Sequence, residues 1–180
     1  MILEKKDNAS AFRIAVIMTG GTIAKTYDPH SASMCNSEVT IDALIRSLRL
    51  PNTHINFIDL MRKDSLEINP EDRTAITESV LMASHNNDAV IVTHGTDTLA
   101  NTGEELYISL PGPTVPIIFT GAMIPLVVQQ SDGIQNIIEA ILACKLLPVG
   151  IYTIFHGQVL SFPGIIKDRK QMTFVRSMTL

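Results

Sequence analysis

Five short runs of apolar and β-branched residues, separated by stretches of helical spacing, constrain the fold of this chain more than any other feature. They are Arg13–Met18 (RIAVIM), Ile55–Leu60 (INFIDL), Asp88–Thr93 (DAVIVT), Pro116–Gly121 (PIIFTG) and Val149–Phe155 (VGIYTIF). Most place apolar side chains at consecutive positions, so a strand made from them needs cover on both faces. Helices packed on either side of a parallel sheet supply that cover. Between the runs, Ile41, Leu44, Ile45 and Leu48 follow the i, i+3, i+4, i+7 pattern behind a candidate cap at Thr40. Ile134, Ile137, Ile138 and Ile141 repeat it behind Asp132. Asn69-Pro70-Glu71-Asp72 is a helix start signal: a cap, a proline at the first position, and two carboxylates facing the positive end of the dipole. That helix is expected to reach about His85, and a fourth, less periodic one covers Leu99–Leu110. The β-α-β-α order predicts an open, mostly parallel, Rossmann-like α/β sheet with helices on both faces and right-handed crossovers. Beyond Phe155, a turn at His156–Gln158 leads to Val159–Phe162 and Met172–Val175, which read as short antiparallel pieces flanking a loop.

The 180 residues suit a tail at 1–12 and a single domain over 13–180. Hydrophobic residues make up 46% and charged ones 18%, which excludes a disordered chain. Fourteen Lys and Arg against eighteen Asp and Glu give a net charge of −4, a poor match to nucleic acid, whose phosphates need clustered positive charge. The high apolar share favours a homo-oligomer, with a second copy covering part of the surface. Cys35 and Cys144 lack the spacing of a disulfide framework. His30, His54, His85, His94 and His156 are scattered without a metal-ligand spacing. Met1–Phe12 has no secretory pattern, and no apolar run approaches the length of a membrane span, so a cytoplasmic location without membrane partners is expected.

In an open parallel sheet, ligands bind in the crevice beyond the carboxyl ends of the strands. The first strand runs into Thr19-Gly20-Gly21-Thr22-Ile23-Ala24, and the third into His94-Gly95-Thr96-Asp97-Thr98. Glycines allow sharp turns and close backbone approach, while the hydroxyls of Thr19, Thr22, Thr96 and Thr98 and the Asp97 carboxylate stand past the strand ends. Topology alone brings both loops to one crevice. Taken singly, each loop also reads as ordinary turn chemistry, with Thr98 as a helix cap and Asp97 as a carboxylate on a helix dipole. Neither G-x-G-x-x-G nor G-x-x-x-x-G-K-[ST] is present, nor is a G-x-S-x-G elbow.

With T-G-G-T-I-A at Thr19–Ala24 and H-G-T-D-T at His94–Thr98, the sequence resembles the bacterial-type L-asparaginases. The likeness extends through Asp64-Ser65 with Glu67, Gly121-Ala122-Met123 with Pro125, Ser131-Asp132-Gly133, and a lysine eight residues after Val159. The resemblance implies an amidohydrolase with a threonine nucleophile, converting L-asparagine and water to L-aspartate and ammonia without metal or organic cofactor. Carried over by position, Thr22 is the nucleophile and Tyr27 the phenol that helps take its proton. Thr96, Asp97 and Lys167 form a second catalytic group. Gly21, Ser65, Thr96, Asp97 and Ala122 bind the substrate, Ala122 through its backbone. The assignment makes chemical sense because a threonine hydroxyl needs a base, which a desolvated lysine can be.

Three departures from the family pattern stand out. Tyr27 follows Thr22 by five residues, where many relatives carry their tyrosine on a longer lid. Ile124 stands where many carry arginine. Typical members also continue into a second domain, from which a neighbouring subunit completes the substrate's ammonium site; the chain resembles the short forms without it, which implies weaker substrate binding. Two alternatives stay open: an amidohydrolase for L-glutamine or D-asparagine, and a non-catalytic amino-acid-binding module.

Overall fold

The computed structural model describes residues 11–36 and 40–177. Its centre is a sheet of six strands: β1 (Phe12–Gly20), β4 (Thr53–Lys63), β5 (Ala89–Thr93), β6 (Pro116–Thr120), β7 (Gly150–Phe155) and β8 (Gln158–Ser161). They lie in the order β4-β1-β5-β6-β7-β8, parallel except for the antiparallel edge pair β7/β8. The five parallel strands, numbered by their own succession, run 2-1-3-4-5. This is the doubly wound arrangement whose strand order reverses between the first and third strands, here β1 and β5.

Helices α1 (Thr40–Ser47), α2 (Pro70–Asn86), α3 (Leu99–Ser109) and α4 (Gly133–Leu146) make the crossovers. Ile14, Val16 and Met18 of β1 pack in one core with Ile41 and Ile45 of α1 and Ile137 and Ile141 of α4. Ala15 and Ile17 face the other core, with Ile76 and Val80 of α2 and Leu99 and Leu106 of α3. The uninterrupted apolar run of β1 is thus divided between two layers of helix, as its pattern requires. At the start of α2, Asn69 accepts from Asp72 N and Asp72 returns a bond to Asn69 N, a reciprocal capping box with Pro70 behind it. The side chain of Thr40, the cap expected for α1, lies outside the described residues, as do residues 1–10 of the expected tail.

Four details differ from the sequence reading. β4 extends from Thr53 to Lys63, beyond its apolar centre, because its polar ends still pair with β1. Ile134 and Ile138 of α4 are exposed while Asn136 is fully buried, so the buried face is rotated from the expected isoleucine stripe. A polar hairpin, β2 (Lys25–Asp28) with β3 (Ser33–Asn36), follows the first loop. The loop beyond β8 contains β9 (Ile165–Asp168), which pairs with β10 (Thr173–Arg176), so the two antiparallel pieces have separate partners rather than each other. Among the described residues no helix is long and apolar enough to cross a membrane, and both cysteines are free.

Candidate functional site

The loops after β1 and β5 flank the point where strand order reverses, and they touch through glycine. Gly21 has φ +80, and a Cβ built there would lie 2.3 Å from Gly95 Cα. A Cβ on Gly95 would lie 2.6 Å from Ser65 Cβ, and one on Gly121 2.3 Å from the His94 carbonyl. Only glycine lets the chain segments after β1, β4, β5 and β6 converge so closely. Gly21 N donates to Lys63 O at 2.9 Å, and the Thr98 hydroxyl donates to Ser65 O at 2.6 Å. Thr98 therefore ties two loops together instead of capping α3, for which it makes no side-chain cap bond.

The hydroxyls divide into two groups. Thr19 is fully buried and donates to Thr93 O at 2.8 Å, which removes it from the crevice expected from sequence. Thr22 opens a short 3-10 turn (Thr22–Ala24), is partly exposed, and its hydroxyl has no hydrogen-bond partner among the described residues. Thr96 and Ser65 are buried at the loop junction. Tyr27 lies on β2, 61% exposed, and no hydrogen bond joins it to Thr22.

Lys167 and its two partners are separated by about 70 residues in sequence and meet directly. Its Nζ donates to Thr96 Oγ1 at 2.7 Å and to Asp97 Oδ1 at 3.0 Å, and its side chain is only 14% exposed. In sequence it belongs to the charged strip Lys167-Asp168-Arg169-Lys170, yet strand β9 turns it inward beside Ile165. Asp168 instead braces the following turn, accepting from Lys170 N and Gln171 N. Arg169 Nη2 also reaches Asp97 Oδ1 at 2.8 Å from a largely exposed position.

Three polar groups that sequence reasoning did not place in the site hold the loops in place. Lys25 Nζ bonds Asp64 at 2.7 Å, which keeps the Asp64 carboxyl below its ordinary range and fastens the base of the β2–β3 hairpin beside Ser65. His94 is fully buried between Gly95 O, which accepts from Nδ1 at 2.8 Å, and the Thr102 hydroxyl, 3.0 Å from Nε2. Burial pushes its pKa down to about 4, so the ring is neutral with Nδ1 protonated. Asp132, expected as the cap of α4, makes no side-chain cap bond to the helix backbone and instead accepts from Met123 N and Ile124 N, just beyond the buried Ala122. The Ser131-Asp132-Gly133 motif marked the residue, but not its direction.

A cavity of about 630 Å³ opens beside Asp97, Lys167 and Arg169 and runs along α3 past Asn101 and Glu104 to Arg73. Thr22, Ser65 and Thr96 do not line it, so it neighbours the loop junction rather than coinciding with it. Among the described residues no group of three or more His, Cys, Asp or Glu is placed to hold a metal ion.

Comparison with known proteins matches residues 13–172 to the family model "Asparaginase, N-terminal". An L-asparaginase of Thermococcus kodakarensis is 33% identical over 150 residues, 82% of this chain and 45% of that protein. A component of the glutamyl-tRNA(Gln) amidotransferase of Methanococcus vannielii is 29% identical over 160 residues, 87% of this chain and 37% of that protein. The solved structure of the thermostable L-asparaginase from T. kodakarensis superposes with a TM-score of 0.84 at 28% identity, over 92% of this chain and 51% of the other. The chain therefore spans about half the length, or less, of these relatives. With its signature loops joined at the strand-order reversal and the family model matched over nearly its whole length, the chain belongs to the asparaginase family, to the N-terminal portion shared by its members.

Proposed function

We propose that this chain is an L-asparaginase, an amidohydrolase that uses Thr22 as nucleophile and releases ammonia and L-aspartate. The observation that carries the reading is the bridge from Lys167 Nζ to Thr96 Oγ1 at 2.7 Å, directly behind a loop that touches the Thr22 loop through Gly21 and Gly95. Asp97 offers a carboxylate to the substrate ammonium, and Ser65 and Thr96 offer hydroxyls to the α-carboxylate. Thr22 Oγ1 attacks the side-chain amide carbon while the Tyr27 phenol relays its proton, accepting it on oxygen as the phenol's own proton passes toward the leaving nitrogen. Backbone N–H groups of the loops meet the developing oxyanion, each donor worth about 2.7–4 kcal/mol in comparable sites. With that proton on the leaving nitrogen, ammonia departs, and an aspartyl ester remains. Water then attacks that ester, giving a proton to the Thr96–Lys167 pair, whose atoms are already at hydrogen-bond distance; the bond to Thr22 Oγ1 breaks, that oxygen regains a proton, and L-aspartate leaves. No step calls on a metal or an organic cofactor.

Tyr27 must approach Thr22 for the first step, so the exposed β2–β3 hairpin is read as closing over bound substrate. A single domain over 13–180, assembled as a cytoplasmic homo-oligomer, completes the proposal; light scattering on the purified chain checks the assembly. Ammonia release from L-asparagine by the wild type, reduced at least about 10³-fold in Thr22→Ala and in Thr96→Val with unchanged circular dichroism, is the expected result. Undiminished turnover in either variant would falsify the assignment.

The similarity to an amidotransferase component favours one second reading, in which the same site cleaves the amide of L-glutamine or of another donor such as D-asparagine. One methylene is worth only about 1–3 kcal/mol in pocket discrimination, so a panel of amides separates the readings by their kcat/KM ratios. Tight aspartate binding without turnover of any amide would identify a non-catalytic binding module.

A further inference from the structure

The carboxylate of Asp132 is the centre of a network that reaches both sides of the site. Besides Met123 N and Ile124 N, it accepts from Asn136 Nδ2 at 2.9 Å and from His156 Nε2 at 2.9 Å. Asn136, fully buried, also donates from Nδ2 to Gly121 O at 2.9 Å and accepts from His156 N at 3.1 Å. The segment Gly121–Ile124 is thereby gripped at its first carbonyl and at its third and fourth N–H groups. Ala122 between them forms no hydrogen bond among the described residues.

His156 looks the other way as well. It sits at the β7–β8 turn with φ +52, and its Nδ1 lies 2.9 Å from the Thr173 hydroxyl. A carboxylate only accepts, so Nε2 carries the proton toward Asp132, and the Thr173 hydroxyl can donate to Nδ1. Thr173 is on β10, where it faces Asp168, and the next residue, Phe174, faces Lys167 and packs its ring 4.7 Å from Phe155. One imidazole thus joins the loop bearing Ala122 to the hairpin bearing Lys167.

We infer that Asp132 and His156 are positioning residues that couple these two segments, so that the backbone awaiting the substrate and the amine on Thr96 are set by one shared network. Neither residue touches the reacting atoms. The kinetic consequence rests on the amidase reading above; the mechanical coupling does not. Misplacement by about 1 Å is enough to cost on the order of 10²-fold in rate.

The test pairs hydrogen exchange with kinetics on the full chain. In His156→Ala, amide exchange should quicken together in residues 121–124 and 165–176. His156→Gln keeps an N–H for Asp132 but not the Thr173 contact, and Thr173→Val removes that contact from the other side. Both should loosen 165–176 alone, lower kcat about tenfold with KM within about twofold, and be no worse when combined. His156→Ala should lower kcat/KM about 10²-fold and change KM as well. Faster exchange confined to the 156–158 turn, or Thr173→Val with wild-type kcat in an active enzyme, overturns the coupling. If the wild-type chain hydrolyses no amide, the amidase reading fails, and the exchange pattern alone decides the coupling.

Discussion

The loop junction and the β2–β3 hairpin are consecutive in the chain, yet they are held by opposite means. At the junction, backbone lies on backbone: Gly21 against Gly95, Gly95 against Ser65, Gly121 against His94. In the hairpin, two four-residue strands pair with each other and leave Tyr27 and Met34 exposed. The proposed mechanism, with fixed donors and one mobile acid-base group, would draw on both kinds of construction. Preorganised N–H groups stabilise charge only where they cannot relax, whereas a proton-relay group on an exposed hairpin is free to admit substrate before it engages.

The sharpest way to break this contrast is to add one carbon at the junction. Gly95→Ala places a methyl between Ser65 and Gly21, with backbone on one side and a buried side chain on the other. Destabilisation of about 3 kcal/mol and loss of nearly all activity are expected, measured by urea denaturation and ammonia release. Gly157→Ala is the control. Unlike Gly95 it has positive φ, +75, but nothing lies within 4 Å of the added carbon, so backbone strain of about 1 kcal/mol without a clash is expected. Equal effects in the two variants would mean that close approach is not what glycine provides at the junction.

His94 gives the junction a pH signature of its own. Its folded pKa of about 4 lies below the ordinary 6.5 of the unfolded chain. Between those values the unfolded state binds a proton that the folded state refuses. The stabilisation is therefore full above about pH 6.5 and is lost as pH falls toward 4, by on the order of 3 kcal/mol. Urea denaturation at pH 7 and pH 4.5 measures the loss, and His94→Gln, though less stable at pH 7, should show a shallower decline. A slope unchanged by the substitution would place the titrating group elsewhere.

At the hairpin the expected effects are kinetic. Tyr27→Phe removes one exposed hydroxyl and should leave thermal stability within about 0.5 kcal/mol of wild type while lowering kcat about tenfold to a hundredfold. A fall in Tm without a fall in kcat would reverse the roles given to the two regions.

The same division explains what was legible in the sequence. Ile14 to Met18 read as a doubly covered strand because their pattern is local, and the two glycine loops stood out because close approach demands a residue type that is easy to see. The hairpin escaped notice because Lys25-Thr26-Tyr27-Asp28 has no apolar alternation; its strands are held by their mutual ladder. Lys167 is indistinguishable in charge pattern from Arg169 and Lys170, and only the resemblance singles it out in sequence; in the fold it lies on β9 opposite Phe174, while Arg169 and Lys170 lie beyond the strand. Asp132 carries the sequence mark of a helix cap, but the N–H groups of Met123 and Ile124 compete for it successfully across a tertiary contact. Asn136 is buried among apolar neighbours because its amide completes that contact, which is why the isoleucine stripe of α4 misplaces the buried face.

Lys25 sits where the two constructions meet, and it should give the smallest effect of the set. Its ammonium reaches Asp64 at 2.7 Å, with the side chains 26% and 34% exposed, so solvent screens much of the attraction. Lys25→Met keeps most of the aliphatic stem and removes the charge. Asp64 retains Leu66 N as a donor and its place in the local capping box, so the turn carrying Ser65 is not left unsupported. A stability change below about 1 kcal/mol follows, together with a two- to threefold change in kcat as the base of the hairpin loosens. The wild-type difference should shrink at 1 M salt, where the Debye length is about 3 Å. An effect as large as that of Gly95→Ala would mean that the hairpin is built into the junction, and Tyr27 would then have to reach Thr22 by side-chain rotation alone.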